Sequence, residues 1–208
     1  LKSFQDGMYQ IQDISSMLAG EYTAPKAGDT IVDVCGAPGG KSINAALKMS
    51  EQGDCGRVIA RDLSDYKVAL IDENIKRLNI TNIQTQVYDA LDCDESLINK
   101  ADIVIADLPC SGLGIIGRKP DIKYNASPEK LQSLVDLQRD ILKVVSRYVK
   151  SGGVLMYSTC TINRAENEDN ADWICKESGF TKDGEYHQLL PANNSGMDGF
   201  CVARLIKS

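Results

Sequence analysis

Thr30-Ile31-Val32-Asp33-Val34-Cys35-Gly36-Ala37-Pro38-Gly39-Gly40-Lys41 is the stretch that decides the fold. Thr30–Val34 is a short β-branched run, which favours a strand. Glycines follow at once, and helical sequence takes over from about Lys41. Glycine lets the backbone adopt positive φ and lets a ligand come close. A helix start offers unpaired amides to a carboxylate or phosphate. Taken alone, the same residues would also serve a tight strand–helix turn. The loop is not a P-loop, because G-x-x-x-x-G-K-[ST] needs Gly where Cys35 stands, and G-x-G-x-x-G does not match either.

The alternation continues along the chain. Arg57–Leu63 reads as a second strand. Ser64 caps a helix that runs to Leu78 and ends at Asn79. Ile83–Val87 and the very apolar Ile103–Ala106 are a third and a fourth strand. Ser127-Pro128-Glu129 opens the clearest helix, with a cap, a first-turn proline and an acid at the positive end of the dipole. Leu131, Leu134, Val135, Ile141, Leu142, Val145 and Val149 form its apolar stripe, and Ser151-Gly152-Gly153 is expected to stop it. Val154–Ser158 is a fifth strand. Asn163 and Glu166 resemble a capping box for a helix to about Ser178. A hairpin of roughly Thr181–Leu189 and Phe200–Ile206 closes the sheet.

Such alternation predicts an α/β fold: a Rossmann-like, mostly parallel seven-stranded sheet with helices on both faces and a C-terminal antiparallel hairpin. Residues 1–24 read as a polar lead-in segment packing on a domain of residues 25–208. Ligands in such sheets bind at the carboxyl ends of the strands. Asp33, Asp62, Asp89 and Asp107 all stand there. Asp62 comes about twenty residues after the glycines, where an acid binds ribose hydroxyls in nucleoside-binding folds. One such acid is often only a helix cap, but a row of four is hard to explain that way.

Two cysteines also stand at strand ends: Cys110 in Asp107-Leu108-Pro109-Cys110-Ser111-Gly112, and Cys160 in Ser158-Thr159-Cys160-Thr161. Either alone reads equally well as a buried thiol. Together, beside a nucleoside site, they point to a nucleophile. Thiolate addition at C6 of a cytosine makes C5 enamine-like and able to accept an electrophilic methyl group. That chemistry needs a Cys, an acid near N3/N4 and a route for the C5 proton.

On these motifs the sequence resembles the RNA cytosine-C5 methyltransferases of the NOL1/NOP2/Sun family, and within it the bacterial branch acting on 16S rRNA. The matching pieces are Gln12-Asp13-Ile14-Ser15-Ser16, Asp33 through Lys41, Asp62, Asp89-Ala90, Asp107 through Gly114, Arg118 to Asp121, Ser158-Thr159-Cys160 and Asp198-Gly199-Phe200. The resemblance implies a class I S-adenosylmethionine-dependent methyltransferase fold. It implies that Cys160 attacks C6, that Cys110 assists release of the adduct, and that Asp107 contacts the base edge or the reacting end of the cofactor, with Lys41 nearby. It implies that Cys35, Gly36, Ala37, Pro38, Gly39, Gly40, Lys41, Asp62, Asp89 and Asp107 hold S-adenosyl-L-methionine. Arg118, Lys119 and Lys123 form a basic cluster placed to meet phosphates, although a solvated loop would look the same. Departures are small: Gly36 stands where the family more often has Ala, Leu108 where Ala is usual, and Cys201 where Phe is usual.

Composition bounds the rest. The chain has 208 residues, 43% hydrophobic, enough for one domain with a real core. Seven cysteines with no C-x-x-C pair argue against a zinc ribbon, and no metal is expected. Cys55, Cys93 and Cys175 read as small buried hydrophobes, and free thiols suit a reducing cytoplasm. No signal peptide or membrane partner is expected. The formal net charge of −6 counts against a dedicated nucleic-acid binder. An N-terminal helical RNA-binding domain of the kind the resemblance implies, absent from this chain, would account for that balance. The expected partner is RNA, the expected state a monomer. Among rivals, an amino methyltransferase would want Asn/Asp-Pro-Pro-aromatic where Asp107-Leu108-Pro109-Cys110 stands, and a hydrolase would want a serine elbow near His187. A non-catalytic RNA-binding or assembly module on the same fold is opposed by the intact Cys160, Cys110 and loop glycines.

Overall fold

The structure, a computed structural model, describes residues 1–53, 56–190 and 198–208. Cys55 lies outside the described residues. In chain order the elements are α1 (Lys2–Gln5), α2 (Ile14–Thr23), β1 (Thr30–Asp33), α3 (Gly40–Glu51), β2 (Arg57–Asp62), α4 (Asp65–Leu78), β3 (Ile83–Val87) and β4 (Ala101–Asp107). Then come α5 (Ile122–Asn125), α6 (Pro128–Val145), β5 (Val149–Thr159), α7 (Glu168–Ser178), β6 (Phe180–Lys182), β7 (His187–Leu189) and β8 (Phe200–Lys207).

One sheet runs in the order β3-β2-β1-β4-β5-β8-β6, with β7 also paired to β8. The first five strands are parallel. β8 is antiparallel to β5. β6 meets the Leu205–Lys207 end of β8 and β7 meets its Phe200–Val202 end. The expected seventh strand is therefore one edge strand broken into two pieces, which raises the count to eight.

Alternate strand residues point to opposite faces. Val32, Val104 and Leu155 face α6 and α7 through Ile141, Leu142, Val145 and Ile174. Ile31, Ile103, Ile105 and Met156 face α2 and α3 through Ala19, Ala45, Ala46 and Met49. Burying a Leu, Ile or Val side chain contributes about 1.5–3 kcal/mol, so both covered faces anchor the strand ends.

Helix starts follow the expected caps. Ser64 Oγ accepts from Lys67 N–H and Ser127 Oγ accepts from Lys130 N–H. Asn79 ends α4 with φ of 54°. Two boundaries differ from expectation. Val149 is not on the helical stripe: α6 ends at Val145, a 3-10 turn covers Ser146–Tyr148, and Val149 begins β5 opposite Ala101. Ser151-Gly152-Gly153 does not stop a helix but forms a bulge, because the register jumps from Ala101↔Val149 to Ile103↔Val154. Gly152 supplies the positive φ of 73° there. Asn163 caps a 3-10 turn, Arg164–Glu166, before α7 starts at Glu168. The Glu166 side chain does not turn back to that cap backbone, because it is held elsewhere in the core.

Candidate active site

The strand order reverses between β1 and β4, so the loops after these strands diverge and open a crevice. A cavity of about 250 Å³ occupies it. Asp33, Cys35, Gly36, Ala37, Pro38, Gly40, Lys41 and Asp107 form one side. Gln10, Ile11, Gln12, Asp13 and Ser16 form the other. A Cβ on Gly40 would stand 3.1 Å from Gln12 Nε2 and 3.7 Å from Gln10 Nε2, so the lead-in lies directly over the start of α3.

Asp33 is 1% exposed and its Oδ2 accepts from Ser42 Oγ at 2.6 Å. Burial pushes its carboxyl up to about 6, against the opposing pull of Ser42 and of the Lys41 charge. Its Oδ1 and Gln10 Oε1 are buried with no hydrogen-bond partner among the described residues. Two orphaned acceptors suit a bound cation, and free amides at the α3 start suit a carboxylate.

Lys41 joins three segments. Its Nζ donates to Asp107 Oδ2 at 2.5 Å and to Ser16 Oγ at 3.2 Å, and stands 5.3 Å from the centre of the Phe200 ring. Asp107 Oδ1 accepts from Ser158 Oγ at 2.8 Å, across the paired ends of β4 and β5. Just past these ends lie the two cysteines, with Cys110 Sγ and Cys160 Sγ 3.2 Å apart. The Cys110 thiol donating to Cys160 holds Cys160 below the ordinary thiol range, against burial and the Asp107 charge, with help from the Lys41 ammonium. Cys110 is pushed up by that same bond and then by burial. The pair is thus polarised, Cys160 toward thiolate and Cys110 away from it. By contrast, burial pushes Cys35 and Cys175 up, and Cys201 up to about 12, which disfavours a thiolate at each.

Other expected residues sit around this centre. Gly39 opens α3 with φ of 103° and, with Asp62 and Asp89, lies off the cavity lining. Asp62 stands behind the loop, accepting from Ala37 N–H at 3.0 Å and paired with Lys67 at 2.9 Å. Asp89 lies past β3, where it accepts from Leu91 N–H in a turn. Arg118 is not a free phosphate contact, because it pairs with Asp13 and with Asp198 at 3.1 Å. It ties the lead-in to the residues before β8. Lys123 lies over Tyr124, which is 80% exposed, so the outer part of the cluster remains open to solvent.

The lead-in was absent from the expected site because sequence alone shows only a polar tract there. Its local signal is the Gln12-Asp13-Ile14-Ser15-Ser16 motif. Gln138 was missed because it sits among the apolar positions of α6, where it is fully buried. Among the described residues no group of three His, Cys, Asp or Glu side chains is placed to hold a metal, and no helix is long and apolar enough to cross a membrane.

Known proteins share this fold. Residues 21–206 match the family described as 16S rRNA methyltransferase RsmB/F. A probable ribosomal RNA small subunit methyltransferase B of Bacillus subtilis is 38% identical over 98% of the chain and 49% of its own length. A namesake from Synechocystis is 33% identical over 100% of the chain and 50% of its own length. The chain thus spans about half the length of the curated relatives it matches. The crystal structure of NSun6 from Pyrococcus horikoshii with SFG superposes with a TM-score of 0.87 at 28% identity, covering 100% of this chain and 55% of that one. With the family match running from α2 to the end of the last strand, the chain belongs to the 16S rRNA methyltransferase RsmB/F family.

Proposed function

We propose that this domain transfers a methyl group from S-adenosylmethionine to C5 of a cytosine in RNA, with 16S rRNA the substrate, through a covalent Cys160–C6 adduct. The observation that carries the reading is the Cys110–Cys160 thiol pair just past the strand ends that carry Asp107 and Ser158, with the Lys41–Asp107 ion pair lining the glycine-loop cavity. The residues present fit the cofactor. The orphaned acceptors Asp33 Oδ1 and Gln10 Oε1 suit its cationic groups, and the α3 start suits its carboxylate. Asp62 stands one strand away for the ribose hydroxyls, and Asp89 beyond it for the base. The cofactor, when bound, supplies an electrophilic methyl group on a sulfonium centre.

The chain's own residues do the rest. Cys160 enters as thiolate, prepared by the Cys110 hydrogen bond, and adds to C6 so that C5 becomes nucleophilic. Asp107, fixed by Lys41 and Ser158, is placed to meet the N3/N4 edge of the base. After methylation the C5–H bond breaks, its proton passing to solvent water and its electron pair forming the C5=C6 double bond as the C6–Sγ bond breaks; Cys160 leaves as thiolate, assisted by the hydrogen bond it takes from the Cys110 thiol. Lys119, Lys123 and the exposed Tyr124 offer charge and a stacking face to RNA in a chain whose overall net charge is −6.

The test is transfer of tritiated methyl groups from S-adenosylmethionine to unmodified 16S rRNA by the whole protein, followed by digestion to nucleosides. Label in 5-methylcytidine is expected. Label in any other nucleoside would overturn the C5 assignment, and label confined to tRNA or 23S rRNA substrates would move the enzyme to another RNA.

A further inference from the structure

Cys110 and Cys160 are held together by a carboxylate that the proposed chemistry does not use. Glu166 is fully buried. A buried carboxylate persists only where donors surround it. Its Oε2 accepts from Ser111 N–H at 2.8 Å and from Gln138 Nε2 at 3.1 Å, and its Oε1 accepts from Asn163 Nδ2 at 2.9 Å. Gln138 Nε2 also donates to the Pro109 carbonyl at 2.9 Å. Cys110 therefore stands between two residues, Pro109 and Ser111, that are both tied to Glu166, one directly and one through Gln138.

The sheet does not fix the thiols by itself. Its β4–β5 pairing ends at Asp107↔Ser158, followed by Leu108 N–H to the Ser158 carbonyl. Beyond that point the two loops meet at Gly114 N–H to the Cys160 carbonyl and at the Ser111–Thr161 hydroxyl pair, 2.8 Å apart. Glu166 supplies the remaining links, and they are charge-assisted. Asn163 anchors the same carboxylate to the loop that follows Cys160.

We infer that Glu166, acting with Gln138, is a positioning residue that sets the spacing of Cys110 and Cys160, an inference that rests on the reading of Cys160 as the nucleophile. Without the carboxylate, Ser111 N–H loses its acceptor and the Gln138 amide keeps only the Pro109 carbonyl, so nothing ties the two sides of Cys110 to each other. The Pro109–Ser111 segment is then free to swing Cys110 out of hydrogen-bond reach, and such bonds weaken steeply with distance and angle.

The experiment is the pH profile of Cys160 alkylation by iodoacetamide, read by peptide mass in the whole chain, for wild type, Glu166→Ala, Cys110→Ala and the double variant. Circular dichroism and thermal melting report the fold. Glu166→Ala is expected to move the profile toward that of an ordinary thiol, with about tenfold slower alkylation at neutral pH. Cys110→Ala is expected to do the same, and the double variant to add nothing, because both remove one interaction. A purely structural Glu166 would lower the melting temperature and leave the profile in place, which overturns the inference; so would additive effects in the double variant. Should Glu166→Ala fail to fold, Gln138→Met, near in size but without the amide, carries the same comparison. A wild-type Cys160 that titrates as an ordinary thiol would instead sink the nucleophile reading.

Discussion

Cys110 Sγ lies 3.2 Å from Cys160 Sγ, and the two thiols are driven in opposite directions, Cys160 toward thiolate and Cys110 away from it. One hydrogen bond creates both effects, because a donor that stabilises a neighbouring anion holds its own proton more firmly. The residues on the Pro-Cys and Thr-Cys loops are therefore not interchangeable. Cys160→Ala is expected to abolish methyl transfer to RNA while leaving S-adenosylmethionine affinity by calorimetry unchanged. Cys110→Ala is expected to accumulate a denaturation-resistant RNA–protein band in the presence of cofactor. Retained turnover in the first variant, or the band forming through Cys110 in a Cys160→Ala background, would reverse the assignment.

The Lys41–Asp107 pair acts on the same thiolate with opposite signs, the ammonium favouring it and the carboxylate opposing it. Lys41→Met should slow iodoacetamide alkylation of Cys160 at neutral pH, and Asp107→Asn should speed it, each by a few-fold, since these charges act after the Cys110 bond and after burial in size. Both variants should nonetheless lose methyl transfer, because the proposed chemistry sets Asp107, held by Lys41, at the base edge. Changes of the same sign in both alkylation rates would mean that the pair acts by shaping the pocket rather than by charge.

Much of this centre was legible in the residues because its chemistry follows strand ends. Asp33, Asp107, Cys110 and Cys160 sit at or just past ends that β-branched runs announce, and the glycine loop announces the start of α3. Long-range polar contacts were not legible. Arg118 looks like a phosphate ligand in sequence, yet Asp13 and Asp198, 105 and 80 positions away along the chain, claim its guanidinium. Ser151-Gly152-Gly153 looks like a helix stop, but its glycines serve a bulge whose need arises only when β5 pairs with β4. Glu166 suggests only a cap and Gln138 carries no local signal, and only tertiary packing brings them behind Cys110. Local pattern sets elements, while partners far apart in sequence decide which polar groups are satisfied and which are left for a ligand.

Asp62 gives a test of the cofactor pose. Its carboxylate is already engaged, by Ala37 N–H at 3.0 Å, Leu63 N–H at 2.8 Å and Lys67 at 2.9 Å. A ribose hydroxyl would compete with Lys67, whose side chain is half exposed and free to leave. Asp62→Ala should weaken S-adenosylmethionine binding by about 1–3 kcal/mol, the range for a charge-assisted hydrogen bond lost in a buried setting. Lys67→Ala should leave binding unchanged or slightly tighter. Unaltered affinity in Asp62→Ala would place the ribose elsewhere in the crevice.

Asp33 links the cavity to pH. Its folded pKa, about 6, lies above the ordinary value of 3.8, because the buried site penalises the charged form. The stability it contributes is therefore fully present below about pH 4 and is lost as pH rises through 6. Asp33→Asn keeps a neutral polar group there and does not titrate. The stability of Asp33→Asn relative to wild type, from urea unfolding, should thus rise by about 3 kcal/mol between pH 3 and pH 7, a shift of roughly two units at about 1.4 kcal/mol each. Groups that titrate in both proteins cancel in that difference. A cation bound beside Asp33 Oδ1 would favour the carboxylate and shrink the gap at pH 7. Repeating the unfolding series with saturating S-adenosylmethionine should show wild type regaining part of the difference beyond what binding gives the variant. A wild type that instead gains on Asp33→Asn as pH rises without cofactor would mean that Ser42 and Lys41 already outweigh burial, and that Asp33 enters the cavity as a settled anion.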